Sequence, residues 1–273
     1  MTTSPDTWVY GDFAPDPASH DLPGLKARWL VESLPQLEAP RVLDYGTGEG
    51  KYLQLVRALR PRARRVGVDI RAPHTAVDFE YHQVGADAPL PLAADSCDVV
   101  ISFDVLEHVA NLDRSLEEIW RVLRPGGAFI GFVPAEGGVG AHALFRLLDR
   151  DIYQHTKDHH HAYTRRELIQ RFKCAFRVVR LGYSYHLIGA TLDATFFASF
   201  KLPFLGRRME QFWRGQENAV YRTGAKGQPK RSLTGSLIRL ANSVAYLESR
   251  LLRNVSLGAK GLHFHLEKAQ RPD

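Results

Sequence analysis

Three glycines at alternate positions, preceded by an acidic residue, form the most distinctive chemical pattern in the sequence. Asp44 ends a short apolar run, and Gly46, Gly48 and Gly50 follow it. Glycine lets a backbone approach a ligand closely and adopt positive φ angles where a Cβ atom would clash. Phosphate-binding and dinucleotide loops are also glycine-rich, but this turn has neither a Gly-Lys-Ser/Thr ending nor G-x-G-x-x-G spacing. We therefore predict a nucleoside ligand, with another Rossmann-like nucleotide site as the alternative.

A second carboxylate, Asp69, ends another apolar run at 65–70 (RVGVDI), 23 residues beyond Gly46. At the carboxyl end of a strand beside the glycine turn, this carboxylate can accept hydrogen bonds from both hydroxyl groups of a ribose. An aspartate there can also cap a helix or stabilise a turn, and that alternative stays open.

Histidines are concentrated in the segment 155–161, where four of the seven residues are histidine. A histidine of near-neutral pKa can remove a proton from an acceptor hydroxyl or amine, so the candidate bases are His155, His159, His160 and, outside this segment, His108. Adjacent histidines in an extended chain point to opposite faces, and no metal site is predicted. The remaining interpretation is a polar loop that hydrogen-bonds to its own backbone.

Alternating apolar runs and amphipathic segments predict the elements that position these residues. The predicted strands cover 42–43, 65–70, 81–84, 97–102, 128–133, 173–185 and 261–268. The predicted helices cover 21–34, 52–59, 111–123 and 236–253, with another beginning after Thr164. Buried strands that alternate with helices are typical of a parallel sheet covered on both faces. Polar residues follow the strand 97–102, at the place where such a sheet binds its ligand.

The ordered series of motifs resembles the class I S-adenosylmethionine-dependent methyltransferases, with a type-11-like domain. The turn at 44–50 resembles the first motif of that family, D/E-x-G-x-G-x-G. The stretch SFDVLEHV at 102–109 is similar to its fourth-strand motif, and WRVLRPGGAFIGFVP at 120–134 is similar to its pattern between the fourth and fifth strands. The resemblance covers about 41–134 as one series.

This resemblance implies a fold, a cofactor and a set of site residues. The fold is α/β, a Rossmann-like seven-stranded, mostly parallel sheet with helices on both faces, an antiparallel last strand and a helical insertion. The cofactor is S-adenosyl-L-methionine. Its expected binding residues are Asp44, Gly46, Gly48 and Gly50 at the methionine side, Asp69 at the ribose, Asp87 and Ala88 at the adenine and Phe103 lining the pocket, with Thr47, Ile70, Asp104 and His108 as further members.

The expected domains are an N-terminal arm and helix at 1–40, a cofactor-binding core at 41–185, a helical insertion at 186–260 and a last core strand with a tail at 261–273. The insertion is apolar at its start and basic in its middle. Near its end it carries Leu237, Leu240, Val244, Leu247 and Leu251 at helical spacing. It is either an acceptor lid packed on the core or a surface that meets a membrane-bound or anionic acceptor.

Composition adds weaker constraints. The net charge of +6 and the pI near 9.4 favour anionic partners. Two cysteines form no disulfide framework, and the N-terminal segment lacks the basic and apolar regions of a signal peptide. We therefore expect a cytoplasmic protein, with peripheral membrane contact through 186–253 as an option. Nucleic acid is the least favoured partner because no recognition module is present.

The predicted activity is methyl transfer from S-adenosylmethionine to a small-molecule, lipid-linked or glycan-linked acceptor. We expect O-methylation assisted by a histidine base, with N- or C-methylation of a metabolite as the alternative. Two other classes remain, an NAD-dependent oxidoreductase and a non-catalytic scaffold of the same fold. The glycine spacing argues against the oxidoreductase, and the intact carboxylates argue against the scaffold.

Overall fold

One seven-stranded sheet forms the centre of the molecule. The computed structural model describes residues 14–134, 163–200 and 233–269. The strands are β1 (Arg41–Tyr45), β2 (Arg64–Asp69), β3 (Glu80–Gln83), β4 (Cys97–Phe103), β5 (Leu123–Pro134), β6 (Arg177–Ser184) and β7 (Gly261–Glu267). The helices are α1 (Leu22–Ser33), α2 (Lys51–Leu59), α3 (Leu112–Val122), α4 (Arg165–Ala175), α5 (Leu187–Phe200) and α6 (Leu233–Leu251).

The strand order is β3-β2-β1-β4-β5-β7-β6. All neighbouring pairs are parallel except those of β7, which runs antiparallel between β5 and β6. The predicted fold, including the antiparallel last strand, is confirmed. The chain order reverses between β1 and β4, and an open α/β sheet binds ligands at such a switch point, beyond the carboxyl ends of its strands.

Side chains alternate between the two faces of the central strands, and each face has its own apolar core. Val42 of β1 packs with residues of α1 and α2, whereas the next residue, Leu43, packs with residues of α3 and α4. Both residues are fully buried. A strand covered on both faces reads as a continuous apolar run, which is why sequence pattern located β1 and β4 well.

The N-terminal helix α1 lies against the sheet at β5 and β7. Its N-cap is Asp21, whose carboxylate accepts a hydrogen bond from the backbone N–H of Gly24 at 2.8 Å, with Pro23 in the first turn. The buried Trp29 donates its indole N–H to the carbonyl of Phe264 on β7 at 3.0 Å. The helix is therefore fixed both by its cap and by a side-chain contact with the sheet.

The predicted strand at 173–185 was wrong at its start, because residues 173–175 belong to α4. A capping box formed by Thr164 and Glu167 begins this helix. Leu168 and Phe172 follow on one buried face, and the backbone N–H of Phe176 still bonds to the carbonyl of Phe172. These contacts extend the helix to Ala175, so that β6 begins at Arg177.

Helices α5 and α6 lie between β6 and β7 in the chain. The carboxylate of Glu248 on α6 accepts hydrogen bonds from the backbone N–H groups of Leu187, Ile188 and Gly189, at 2.8 to 3.0 Å. It thus satisfies the free donors in the first turn of α5 and ties the two helices together. Within the described ranges, no helix is both long and apolar enough to cross a membrane.

Candidate functional site

Three predicted site residues come together where parallel strands end at one edge of the sheet. Asp44 lies next to last in β1, Asp69 is last in β2 and Phe103 is last in β4. The registers pair Asp44 with Gly67 on β2 and with Ile101 on β4, which brings the three strand ends level. Residues far apart in sequence therefore surround the turn that follows β1.

The structure explains in different ways why glycine occupies these three positions of the turn. All three adopt positive φ angles, of 81°, 52° and 80° for Gly46, Gly48 and Gly50. A methyl group at Gly46 would overlap Val105, and one at Gly50 would overlap the ring of Phe79. At Gly48 a Cβ atom meets nothing within 4 Å. The outer glycines allow close packing within the protein, and only the middle one borders open space.

Asp44 is a buried carboxyl beneath this turn, with only 2% of its surface exposed. Burial raises the pKa of the Asp44 carboxyl to about 7, although a hydrogen bond from the hydroxyl of Thr47 at 3.2 Å opposes the shift. Thr47 is itself buried, and its backbone N–H donates to the carbonyl of Val68 at 3.0 Å. The turn therefore holds a carboxyl that changes charge near neutral pH.

Asp69 connects β2 to the glycine turn. One carboxylate oxygen accepts the backbone N–H of Gly48 at 2.8 Å, and the other accepts the backbone N–H of Arg71 at 3.0 Å. Each carboxylate oxygen can accept two hydrogen bonds, so acceptor capacity remains on both. The next side chain, Ile70, is 56% exposed and offers an apolar surface beside this carboxylate.

Asp87 and Ala88 lie in the turn that follows β3. The backbone N–H of Ala88 donates to the carbonyl of Gly85 at 3.1 Å, and Asp87 adopts a left-handed φ of 57°. The guanidinium of Arg114 on α3 donates to the backbone carbonyl of Asp87 at 2.7 Å. This bond leaves the exposed Asp87 carboxylate available for other contacts.

At the end of β4, an aromatic pair and a partly buried ion pair border the site. The ring of Phe103 stacks on Tyr52 of α2 with centroids 4.1 Å apart. The next residue, Asp104, has a left-handed φ of 58°. Its two carboxylate oxygens accept hydrogen bonds from the ammonium of Lys26 on α1, at 2.6 and 2.5 Å. The Lys26 ammonium also lies 4.2 Å from the centroid of the Phe132 ring. Helix α1 is thereby anchored to the strand end that borders the switch point.

Glu107 lies one turn beyond Asp104 and is 3% exposed. Burial, followed by repulsion from Asp104, raises the pKa of Glu107 well above its ordinary value, and Lys26 only partly opposes this shift. Its Oε2 atom has no hydrogen-bond partner among the described residues. The neighbouring His108 is half-buried, with its backbone N–H bonded to the carbonyl of Val105 at 2.8 Å. Burial therefore favours the protonated form of the Glu107 carboxyl.

Three of the four candidate bases, His155, His159 and His160, lie outside the described residues. Only His108 can be placed, next to Glu107 and close in sequence to Asp104. Its position beyond β4 agrees with the sequence expectation, and its role as a base stays a prediction.

Sequence reasoning missed two contributors to this edge. Lys26 lies three residues before Trp29 and four before Leu30, so its place on the apolar stripe of α1 was a signal that it is buried. Glu49, between the second and third glycines, accepts hydrogen bonds from the backbone and ring of His74, at 2.9 and 2.7 Å. No local sequence pattern predicted the contact between Glu49 and His74, which ties the loop after β2 to the glycine turn.

The fold and this edge define a Rossmann-like nucleoside-binding domain of the class I methyltransferase type. A family model described as a methyltransferase domain matches residues 19–177, more than half of the chain. The protein belongs to this family, and the methyl donor of the class is S-adenosylmethionine.

Two relatives illustrate the similarity. A ubiquinone biosynthesis O-methyltransferase of Pseudomonas entomophila is 32% identical over 119 residues, covering 40% of this chain and 50% of its own. A ubiquinone/menaquinone biosynthesis C-methyltransferase of Syntrophotalea carbinolica is 32% identical over 120 residues, covering 39% and 50%. The chain thus spans about half the length of these relatives.

A solved structure extends the likeness of fold over most of the chain. Geranyl diphosphate C-methyltransferase from Streptomyces coelicolor, in complex with Mg²⁺, geranyl diphosphate and S-adenosyl-L-homocysteine, matches with a TM-score of 0.53 and 13% identity. The match covers 89% of this chain and 78% of that protein. At this identity the comparison shows a shared fold.

The residues at the edge fit S-adenosylmethionine. The middle glycine of the turn borders open space, a buried carboxyl lies beneath the turn, and a second carboxylate with free acceptor capacity stands beside it. An exposed Ile70 adjoins that second carboxylate and suits a flat adenine ring. These are the features that a ligand with an ammonium, a ribose and an adenine requires.

Proposed function

We propose that the protein transfers the methyl group of S-adenosylmethionine to a small-molecule, lipid-linked or glycan-linked acceptor. The observation that carries this proposal is the open space at Gly48, beside the Asp69 carboxylate and in the turn that follows Asp44. Membership of the methyltransferase-domain family supports the same activity.

Each part of the edge has a role in this proposal. Asp44 and the turn 46–50 hold the methionine end, and Asp69 accepts hydrogen bonds from the ribose hydroxyls. Ile70 packs against the adenine, whose amino group meets Asp87 with Ala88 alongside. Thr47 supports Asp44 through the hydroxyl hydrogen bond already described.

The bound cofactor supplies a methyl group already activated by a sulfonium. The task of the protein is then to align an acceptor with that methyl group and to keep water away. The stacked rings of Phe103 and Tyr52 and the apolar part of α1 form a wall beside the strand end. Asp104, held by Lys26, fixes the backbone that follows this wall.

The acceptor atom is proposed to be a hydroxyl oxygen whose proton passes to a histidine. The candidates are His155, His159, His160 and His108, because a neutral imidazole can accept this proton near pH 7. The relatives include an O-methyltransferase and a C-methyltransferase of quinone biosynthesis, so methylation of carbon or nitrogen is the alternative outcome. The low cysteine count favours a reducing, cytoplasmic setting, and residues 186–253 are the candidate contact with a membrane-borne acceptor.

A crystal structure with S-adenosylhomocysteine bound tests the roles of the site residues. We expect the Asp69 carboxylate within hydrogen-bond distance of both ribose hydroxyls and at least one candidate histidine facing the cofactor sulfur. If neither His155 nor any residue of 158–161 nor His108 approaches the sulfur, the histidine-base mechanism is withdrawn, whereas the proposal of methyl transfer stands.

A further inference from the structure

Helix α6 presents its apolar residues to solvent. The helix carries five large apolar side chains at a spacing of three or four residues, and all are exposed: Leu237 (65%), Leu240 (62%), Val244 (43%), Leu247 (54%) and Leu251 (73%). Residues at this spacing share one face of a helix. We call this face the α6 apolar stripe.

The opposite side of α6 is held to the protein by small and polar side chains. Ala245 and Ser249 are each 2% exposed, and the Ser249 hydroxyl accepts the backbone N–H of Tyr185 at 3.0 Å. Tyr246 stacks on His20 with centroids 4.4 Å apart and lies under the guanidinium of Arg28 at 4.3 Å. The usual amphipathic arrangement is therefore reversed, and the outward direction of the stripe is fixed by specific contacts.

Further exposed apolar residues lie at the start of α5 and in the segment after α6. Glu248 holds Leu187 and Ile188 beside α6, and these two residues are 62% and 39% exposed. Beyond the helix, Val255 and Leu257 are 42% and 68% exposed. An exposed surface of this kind usually marks an interaction site.

Basic residues occur on α6 and in the segment that precedes it in the sequence. Arg239 and Arg250 are exposed on α6 itself. The segment 201–232, which immediately precedes α6 in the sequence, has eight Lys or Arg residues against two Glu residues, an excess equal to the whole net charge of +6. A helix with an apolar stripe and exposed arginines matches the boundary between lipid headgroups and acyl chains of an anionic membrane, and the net charge of the chain has the same sign.

We infer that the α6 apolar stripe docks on an anionic lipid surface and lies in its plane. The inference deepens the proposed function, because a docked enzyme could take a lipid-linked acceptor from that surface. A second copy of the chain is a less suitable occupant, since each copy would bring the same positive charge to the contact.

Vesicle co-sedimentation of the full chain tests this docking without any methyl transfer. We expect binding to vesicles of phosphatidylcholine with phosphatidylglycerol, and at least about tenfold weaker binding to phosphatidylcholine alone or to the anionic vesicles in 0.5 M salt. The double variant Leu240→Gln/Leu247→Gln keeps good helix formers at exposed positions and should lower the partition coefficient about 30-fold or more.

Leu37→Gln is the matched control, because Leu37 is also an exposed leucine (43%) but lies between α1 and β1. This variant should bind vesicles like the unchanged protein. Absence of vesicle binding, equal binding to both vesicle types, or full binding by the double variant would each overturn the inference. So would a dimer, seen by light scattering, that the double variant abolishes, because the stripe would then bind a second copy.

Titration of the same proteins with S-adenosylhomocysteine separates this inference from the proposed function. We expect the double variant to bind that ligand like the unchanged protein. Vesicle binding without ligand binding would contradict the proposed activity and support the docking. Ligand binding without vesicle binding would support the proposed activity and contradict the docking.

Discussion

The carboxylate of Asp69 accepts a hydrogen bond from the backbone N–H of Gly48 at 2.8 Å, and this contact joins the end of β2 to the turn after β1. The proposed ribose and methionine subsites are therefore held together before any ligand binds. A site organised in this way loses less free energy to ordering when the ligand arrives.

Replacement of Asp69 by alanine should weaken the binding of S-adenosylhomocysteine by about 30-fold to 100-fold. The variant loses two hydrogen bonds to the ribose and the restraint on Gly48, and together these losses amount to about 2 to 3 kcal/mol. Isothermal titration measures the change. Asp113→Ala is the control, because that carboxylate lies on α3, pairs with Arg171 of α4 and is no part of the proposed site, so its loss should leave binding unaltered. Equal affinity of the Asp69 variant and the unchanged protein would remove Asp69 from the site.

Alanine substitutions at Gly48 and Gly50 should have different consequences, the first mainly for ligand binding and the second mainly for stability. Gly48→Ala should fold with a loss of about 1 to 2 kcal/mol, from its positive φ alone, but bind ligand poorly. Gly50→Ala should lose more than about 3 kcal/mol, because its methyl group overlaps the ring of Phe79. Urea unfolding and ligand titration of both variants check this. A Gly48→Ala protein with normal affinity would show that the open space is not the ligand site.

Ligand affinity should increase with pH up to about 7. The Asp44 carboxyl, with a pKa of about 7 in the free protein, is mainly neutral below that value. A ligand ammonium favours the charged form, so binding releases a proton, and affinity should rise by up to about tenfold for each pH unit below 7 before levelling off. Titrations with S-adenosylhomocysteine between pH 5.5 and 8 measure this slope. Asp44→Asn should abolish it, and an equal slope in that variant would assign the proton to another group.

Lys26→Met should destabilise the protein by about 2 kcal/mol. The substitution keeps an apolar stem but leaves the Asp104 carboxylate without its partner beside the buried Glu107. The double variant Lys26→Met/Asp104→Asn should regain most of the lost stability, since the unpaired charge is then removed. A double-mutant cycle from urea unfolding measures the coupling. Additive losses in the double variant would show that the ion pair does not stabilise the fold.

Glu107→Gln should change stability by less than about 1 kcal/mol at pH 7. The raised pKa favours the protonated carboxyl, and the amide of glutamine has the same shape and no charge. The corresponding substitution Asp98→Asn serves as a comparison and should cost more, because the Asp98 carboxylate is paired with Arg124 and accepts the backbone N–H of Arg41. A large loss at Glu107 would mean that its carboxyl is ionised.

The strand ends of the site could be predicted because their signals are local. Val42 and Leu43 are apolar on both faces of β1, and an acidic residue followed by alternate glycines leaves few other structures for the turn. Asp69 could be predicted in the same way, because it ends the apolar run of the neighbouring strand β2. In each case the information lies within a few consecutive residues.

Contacts between distant segments could not be predicted in this way. The burial of Lys26 depends on Asp104, 78 residues away. The need for glycine at positions 46 and 50 depends on the side chains of Val105 and Phe79, which a Cβ atom would overlap. The same holds for α6. Helical spacing shows that its leucines share a face, but only the contacts of Tyr246 and Ser249 decide that this face points outward.

The most direct test of the account is isothermal titration of the full chain with S-adenosylhomocysteine and, separately, with NAD⁺. We predict a one-to-one complex with S-adenosylhomocysteine, with a dissociation constant in the nanomolar to micromolar range, and no heat of binding with NAD⁺. Binding of NAD⁺ without binding of S-adenosylhomocysteine would contradict the account and assign the turn at 44–50 to a dinucleotide.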